Sequence, residues 1–94
     1  MPMFVLHCLD KPDSFALRAA TREAHLTYVG AHPAMRIGGP YLDREGSPVG
    51  SMIVVETSDE AAARAFSKDD PYNRAGLFEA VEIRPWVHFA GHLP

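Results

Sequence analysis

The chain is short of cysteine and of basic residues, and each shortage excludes a class of protein. Its 94 residues include a single cysteine, Cys8, which excludes an internal disulfide framework and a cysteine-rich zinc module. The 9 lysines and arginines do not offset the 12 aspartates and glutamates, and the net charge of −3 gives no basic footprint for nucleic acid or an anionic membrane. No apolar run is long enough to cross a bilayer, and the N-terminus has no basic start of a signal peptide.

The composition is that of a small globular protein. Hydrophobic residues make up 47% of the chain and charged residues 22%, so we expect one cytoplasmic domain over residues 1–94, in which residues 87–94 can form a tail. Cys8 lies in an apolar segment without a basic neighbour, which favours a buried, inert thiol over a nucleophile.

The N-terminal third of the chain predicts a strand followed by a helix. Residues 3–9 are apolar at almost every position, which is typical of a strand that is covered on both faces. Residues 14–29 contain no proline, Asp13 or Ser14 can cap their first turn, and Gly30 is expected to end the helix. At about 100° per residue this helix has one stripe that predicts its buried face. The stripe consists of Leu17, Ala20, Thr21, Ala24 and Tyr28.

Two further strands are predicted over residues 35–42 and 51–56, with a polar turn between them. Thr57 and Glu60 have the spacing of a capping box, which predicts a second helix after them. Pro71 forces the residue before it into an extended conformation, so this helix is expected to end by residue 68 or 69. A turn and a last strand, from residue 77 to about 85, complete the pattern.

The order β-α-β-β-α-β predicts an α+β fold, the ferredoxin-like split βαβ arrangement. Right-handed crossovers then place both helices on one face of a four-stranded antiparallel sheet, with the first and third strands at its centre. Both of these strands are apolar on both parities, so the open face would expose a large apolar set. We expect Phe4, Leu6, Met52 and Val54, or the opposite parity, to form this set and to be buried in a sheet-to-sheet homodimer.

His25 is the most informative candidate for chemistry. On the helical wheel it lies at the edge of the apolar stripe, near Arg18 and Arg22, where a half-desolvated imidazole is easily tuned. Asp70 is its natural partner, because an extended carboxylate beyond the second helix could orient the ring and stabilise an imidazolium. The alternatives are a histidine bonded to a backbone carbonyl and a solvated helix terminator.

Four other residues are candidates for binding a substrate. Arg18 and Arg22 could hold an anion or a developing enolate oxygen, although a basic solvent edge explains them equally simply. Ser51 and Tyr72 could line the pocket as hydrogen-bond donors or satisfy a nearby backbone group. Of the remaining histidines, at positions 7, 32, 88 and 92, only the last two have a familiar ligand spacing, and these two lie beyond a proline in the predicted tail. We therefore predict no metal.

Several short segments, in this order and spacing, resemble the YciI-like (YCII-related) family. They read DKPDS, RAATREAHL, GGP, GS, DDPY and VEIRPW, at residues 10–14, 18–26, 38–40, 50–51, 69–72 and 81–86, so the likeness spans nearly the whole chain. It implies a ferredoxin-like fold of the dimeric α/β-barrel group and an active-site His-Asp pair on His25 and Asp70. Most members have no established reaction, although elimination of hydrogen chloride from a chlorinated hydroxyquinol is associated with the family.

The leading hypothesis is therefore a small homodimeric enzyme without metal or organic cofactor. His25 would act as general base or acid, Asp70 would orient it, and Arg18 would offset negative charge on a small organic substrate. Elimination, isomerisation and hydrolysis all remain open as reactions. The competing hypothesis is a non-catalytic metabolite-binding or regulatory module, and an oxygenase of related fold is disfavoured because no specific axial histidine is marked.

Overall fold

The segments predicted as strands pair into one antiparallel sheet in the computed structural model, which describes residues 1–93. The sheet has four strands in the order β2-β3-β1-β4, which confirms the ferredoxin-like α+β fold and the central position of the first and third strands. The elements are β1 (Met3–Asp10), α1 (Phe15–Ala31), β2 (Met35–Leu42), β3 (Pro48–Glu56), α2 (Glu60–Asp69), α3 (Pro71–Arg74) and β4 (Phe78–Trp86). The short helix α3, where the sequence suggested only a turn, is the one addition.

The two faces of the central strands divide differently from the expected set. Leu6 pairs with Ile53 across β1 and β3, and both side chains pack against the helices. Val5 pairs with Val54, and this pair belongs to the opposite face because successive strand residues alternate. Leu6 and Val54 therefore never share a face, and grouping them as one exposed patch was wrong. Sequence alternation could not reveal the register between two uniformly apolar strands.

The predicted core stripe of α1 was also wrong. The helix buries Arg18, His25 and Val29, whereas Leu17 is exposed, as are two of the alanines assigned to the stripe. Thr21 and Tyr28 are half-buried. The prediction failed because it took polarity as a mark of the solvent face, while here the inward polar side chains find partners on the sheet and on α3. His25 consequently lies on the buried face itself and not at its edge.

Two of the predicted helix ends differ in detail. The N-cap of α2 is Asp59, whose carboxylate accepts a hydrogen bond from the Ala62 amide at 2.8 Å, so the capping box on Thr57 was wrong. Thr57 instead donates its hydroxyl to the Asp59 carbonyl. Gly30 does not end α1, since the helix continues to residue 31 and His32 takes up the extended conformation that ends it.

The step from α2 into α3 follows the prediction. Asp70 has φ −61° and ψ 128°, the extended conformation that Pro71 requires of its predecessor. Its side chain then caps α3 by accepting a hydrogen bond from the Tyr72 amide. Gly76, with φ +78°, makes the left-handed turn that leads into β4.

The structure describes the predicted C-terminal tail as far as residue 93. Residues 87–93 lie outside any helix or strand, and residue 94 of the predicted tail lies outside the described residues. Within residues 1–93, no helix combines the length and the apolar character that a membrane crossing needs.

Cys8 gives a test of the packing. It is 1% exposed, and burial raises the pKa of its thiol to about 12, with the negative charge of Asp70 adding to the effect. We expect native protein at neutral pH to react with a thiol reagent such as dithionitrobenzoate far more slowly than protein unfolded in guanidinium, because the thiolate is the reactive form. Equal labelling rates in the two states would contradict this packing.

Candidate active site

A cavity of about 410 Å³ lies between α1 and the strands β2 and β3. Most of its wall is apolar, and its polar groups come from α1, β3 and the α3 region. Such a pocket, apolar with a few converging polar groups, is the usual form of a small-molecule site. Five of the six predicted site residues line it: Arg18, Arg22, His25, Ser51 and Tyr72.

The sixth, Asp70, contacts the cavity through His25. The Nδ1 atom of His25 lies 2.8 Å from Asp70 Oδ1, and both side chains are buried. Because a carboxylate only accepts hydrogen bonds, Nδ1 carries the proton of this contact, and the same oxygen accepts the Tyr72 amide at 2.9 Å. The other ring nitrogen, Nε2, bonds to none of residues 1–93 and is left for a ligand.

Tyr72 joins the histidine to the rest of the site. Its ring stacks on the His25 ring with centroids 4.0 Å apart, and the Arg18 guanidinium carbon lies 4.6 Å from the centre of the same ring. Burial raises the pKa of the Tyr72 hydroxyl against the opposing attraction of Arg18 and Arg22. The hydroxyl therefore stays protonated at neutral pH and can donate a hydrogen bond.

Arg18 is held in a buried ion pair. Its Nε and Nη2 atoms donate to the two carboxylate oxygens of Asp10 at 2.7 and 3.0 Å, and Nη2 also donates to Ser51 Oγ at 2.9 Å. Burial opposes the charge of Arg18, but the Asp10 carboxylate outweighs it and the pKa of the guanidinium is raised. Arg22, one turn along α1, is exposed at the cavity and takes part in no ion pair among residues 1–93.

Asp10 is the residue of this site that sequence reasoning missed. No role was predicted for it from the sequence, whereas its side chain is 7% exposed and bound to Arg18. The available signal was a charged residue directly after an apolar strand, followed eight positions later by an arginine on the next helix. Only the return of α1 over the end of β1 brings the two side chains together.

The split βαβ topology of the sheet defines a ferredoxin-like α+β protein. Its cavity lies between the first helix and the sheet. Within this class the chain belongs to the family of YCII-related domains, which it matches over residues 3–87. The resemblance noted in the sequence is thereby confirmed.

Three relatives cover most of the chain. Protein YciI of Escherichia coli is 29% identical over 96 residues, covering 89% of this chain and 95% of YciI. An uncharacterized protein of Haemophilus influenzae is 26% identical over 95 residues, covering 88% of this chain and 94% of that protein. Among solved structures, the 5-chloro-2-hydroxyhydroquinone dehydrochlorinase TftG of Burkholderia phenoliruptrix, in complex with 2,5-dihydroxybenzoquinone, is 29% identical with a TM-score of 0.86, covering 93% of this chain and 95% of its own.

The buried Asp10–Arg18 pair predicts a large loss of stability when it is broken. Asp10→Asn leaves the Arg18 charge buried without a carboxylate, and we expect the free energy of unfolding to fall by about 3 kcal/mol, measured by urea denaturation. The control is Glu60→Gln, which removes an exposed pair with Arg64 on α2 and should cost less than about 0.5 kcal/mol.

Adding Arg18→Met to Asp10→Asn should recover part of the loss, because the unpaired charge is then gone. An Asp10→Asn protein as stable as the Glu60→Gln control would contradict the buried pair.

Proposed function

We propose that the protein is an enzyme that moves a proton on a small organic molecule bound in the cavity, with His25 as general base or acid. The observation that carries the proposal is the His25–Asp70 contact at 2.8 Å beside the apolar cavity. A histidine that is fixed by a carboxylate on one nitrogen and open to a ligand on the other is the usual arrangement for proton transfer at neutral pH.

Each polar group then has a role that its contacts support. Asp70 holds the His25 ring with Nδ1 protonated, so Nε2 can take a proton, and the carboxylate stabilises the imidazolium that forms. The protonated Tyr72 hydroxyl can donate to a substrate oxygen. Arg18 keeps this part of the wall in place, since it donates hydrogen bonds both to Asp10 and to Ser51.

The likeness to TftG supports a class of substrate. TftG is a dehydrochlorinase, and at 29% identity and a TM-score of 0.86 it shares both sequence and fold with this chain. We propose that this protein likewise acts on a small oxygenated ring or a related enol. Elimination, isomerisation and hydrolysis each require a group that transfers one proton. This shared step is the one assigned to His25, and the assay below distinguishes which bond breaks.

Removal of the histidine tests the proposal. We expect His25→Ala to lower kcat by about two to four orders of magnitude, the usual contribution of a general acid or base. The assay follows chloride release from 5-chloro-2-hydroxyhydroquinone under nitrogen and, where none occurs, turnover of a set of lactones and enols. His92→Ala is the matched control, because it removes an exposed histidine outside the cavity.

Binding that survives in wild type without any turnover would instead support the non-catalytic metabolite-binding module. A His25→Ala protein as active as wild type would refute the role of His25.

Replacement of the carboxylate separates orientation from folding. Asp70→Asn keeps an oxygen that can accept the Tyr72 amide but removes the charge beside His25, so we expect kcat to fall at least tenfold with little change in KM. Asp69→Asn makes the same change at the preceding, exposed position and should leave kcat unaltered. Equal effects of the two substitutions would argue against a His25–Asp70 dyad.

We also propose that the protein forms a homodimer through the open face of the sheet. Leu9 and Trp86 are 51% and 36% exposed on this face, alongside the half-buried Met52, and a second copy would cover them. The face also carries the exposed ion pair of Glu82 and Arg84, which gives it charges of both signs.

A single charge on this face should separate the subunits. We expect wild type to sediment as a dimer and Leu9→Glu to sediment as a monomer with unchanged circular dichroism, because a buried unpaired carboxylate disfavours association. Leu17→Glu places the same charge on the exposed side of α1 and should remain dimeric. A wild-type monomer at all accessible concentrations would refute the interface.

A further inference from the structure

The two arginines that line the cavity differ in what they contact. Arg18 is 5% exposed, and its hydrogen bonds go to Asp10 and Ser51, so its charge is already neutralised by the protein. Arg22 is exposed at the cavity and, within residues 1–93, has neither an ion pair nor a side-chain hydrogen bond. Of the two, Arg22 is therefore the cation whose charge is available to a ligand, which reverses the role first given to Arg18.

Transfer of a proton from a ligand to His25 would give each remaining charge of the site a partner of opposite sign. Arg18 and Asp10 cancel each other, so Asp70 and Arg22 are left beside His25. When His25 takes a proton from a bound molecule, the new positive charge lies against Asp70, and the ligand is left with a negative charge. Arg22 is the group that can neutralise that charge in a pocket of low polarity.

The apolar lining of the cavity limits which ligand skeletons can bind there. Leu26, Val29, Met35 and Ile53 form much of the lining, which favours an apolar skeleton over a polar one. The hydroxyl of Tyr72 is the neutral donor nearby, and Tyr72 and Arg22 line the same cavity, so that both can act on one ligand. An oxygen on a conjugated ring or enol can meet both groups.

We infer that the cavity binds the oxyanion of a flat, conjugated hydroxy compound, an enolate or phenolate, and that Arg22 binds the charged oxygen. The choice of oxygen rests on the proposed function, because it is the atom on which proton removal leaves the charge. A planar guanidinium can direct two N–H groups of fixed geometry at one such oxygen, which an ammonium group does not reproduce.

The experiment compares two probes that differ in charge and little in shape. The first, 2-hydroxy-1,4-naphthoquinone, is ionised at neutral pH, and the second, its 2-methoxy ether, is neutral. Dissociation constants are measured by titration calorimetry for wild type, Arg22→Gln, Arg22→Lys and the control Arg44→Gln. The control removes the same charge from an exposed turn outside the cavity.

We expect wild type to prefer the ionised probe and Arg22→Gln to weaken its binding roughly 10- to 100-fold, as expected for the loss of hydrogen bonds to a charged group. Binding of the neutral ether should change less than about threefold. Arg22→Lys should fall between wild type and Arg22→Gln, and Arg44→Gln should match wild type.

Three outcomes would overturn the inference: equal losses for both probes in Arg22→Gln, no loss in Arg22→Gln relative to Arg44→Gln, or no binding of the ionised probe by wild type. The measurement needs no turnover, so it is separable from the proposed function. Binding of the oxyanion through Arg22 in a protein that catalyses nothing would refute only the enzyme. Turnover by His25 without a preference for the ionised probe would refute only the role of Arg22.

Discussion

The buried carboxylate of Asp70 is the constraint around which the site is organised. A carboxylate is stable in the interior only with hydrogen-bond partners, and Asp70 obtains these from the Tyr72 amide and from His25. The same residue ends α2, begins α3 and orients the imidazole. Pro71 enforces its extended backbone, so a local rule of proline geometry determines where this carboxylate meets His25.

Tyr72 links the His25–Asp70 hydrogen bond to the buried Arg18–Asp10 ion pair. Its ring contacts both His25 and Arg18, and Arg18 in turn connects Asp10 on β1 with Ser51 on β3. The site is thereby tied to the centre of the sheet, the most uniformly apolar part of the chain, and to the short α3. A shift of the tyrosine would disturb its contacts with the His25 ring and with the Arg18 guanidinium at once.

Much of the fold could be predicted from the sequence, because each element has a local signal. The strands are rich in β-branched and apolar residues, Pro71 marks the end of α2, and the element order defines the topology. What the sequence could not provide was the register of β1 against β3 and the rotation of α1. Both depend on contacts between distant segments, and the rotation depends on polar groups that become buried only because they meet each other.

Most members of the candidate site were predictable, but one member and the roles of the two arginines were not. His25 and Asp70 came from helix position, proline geometry and family resemblance, and the structure brings them together. Asp10 escaped notice because its partner is recognisable only once α1 folds back over β1. The pairing of Arg18 with that hidden carboxylate also distinguishes the two arginines, because Arg18 is buried and paired whereas Arg22 is exposed at the cavity.

The mouth and the floor of the cavity differ in how freely they can change. The floor is made of buried, mutually bonded side chains, whereas the rim residues Phe15, Leu26 and Leu42 are 62%, 49% and 59% exposed. Exposed positions away from such bonds tolerate substitution at small cost in stability. Evolution, or a mutant library directed at the rim, can therefore alter which compounds fit the cavity while the hydrogen-bonded floor stays intact.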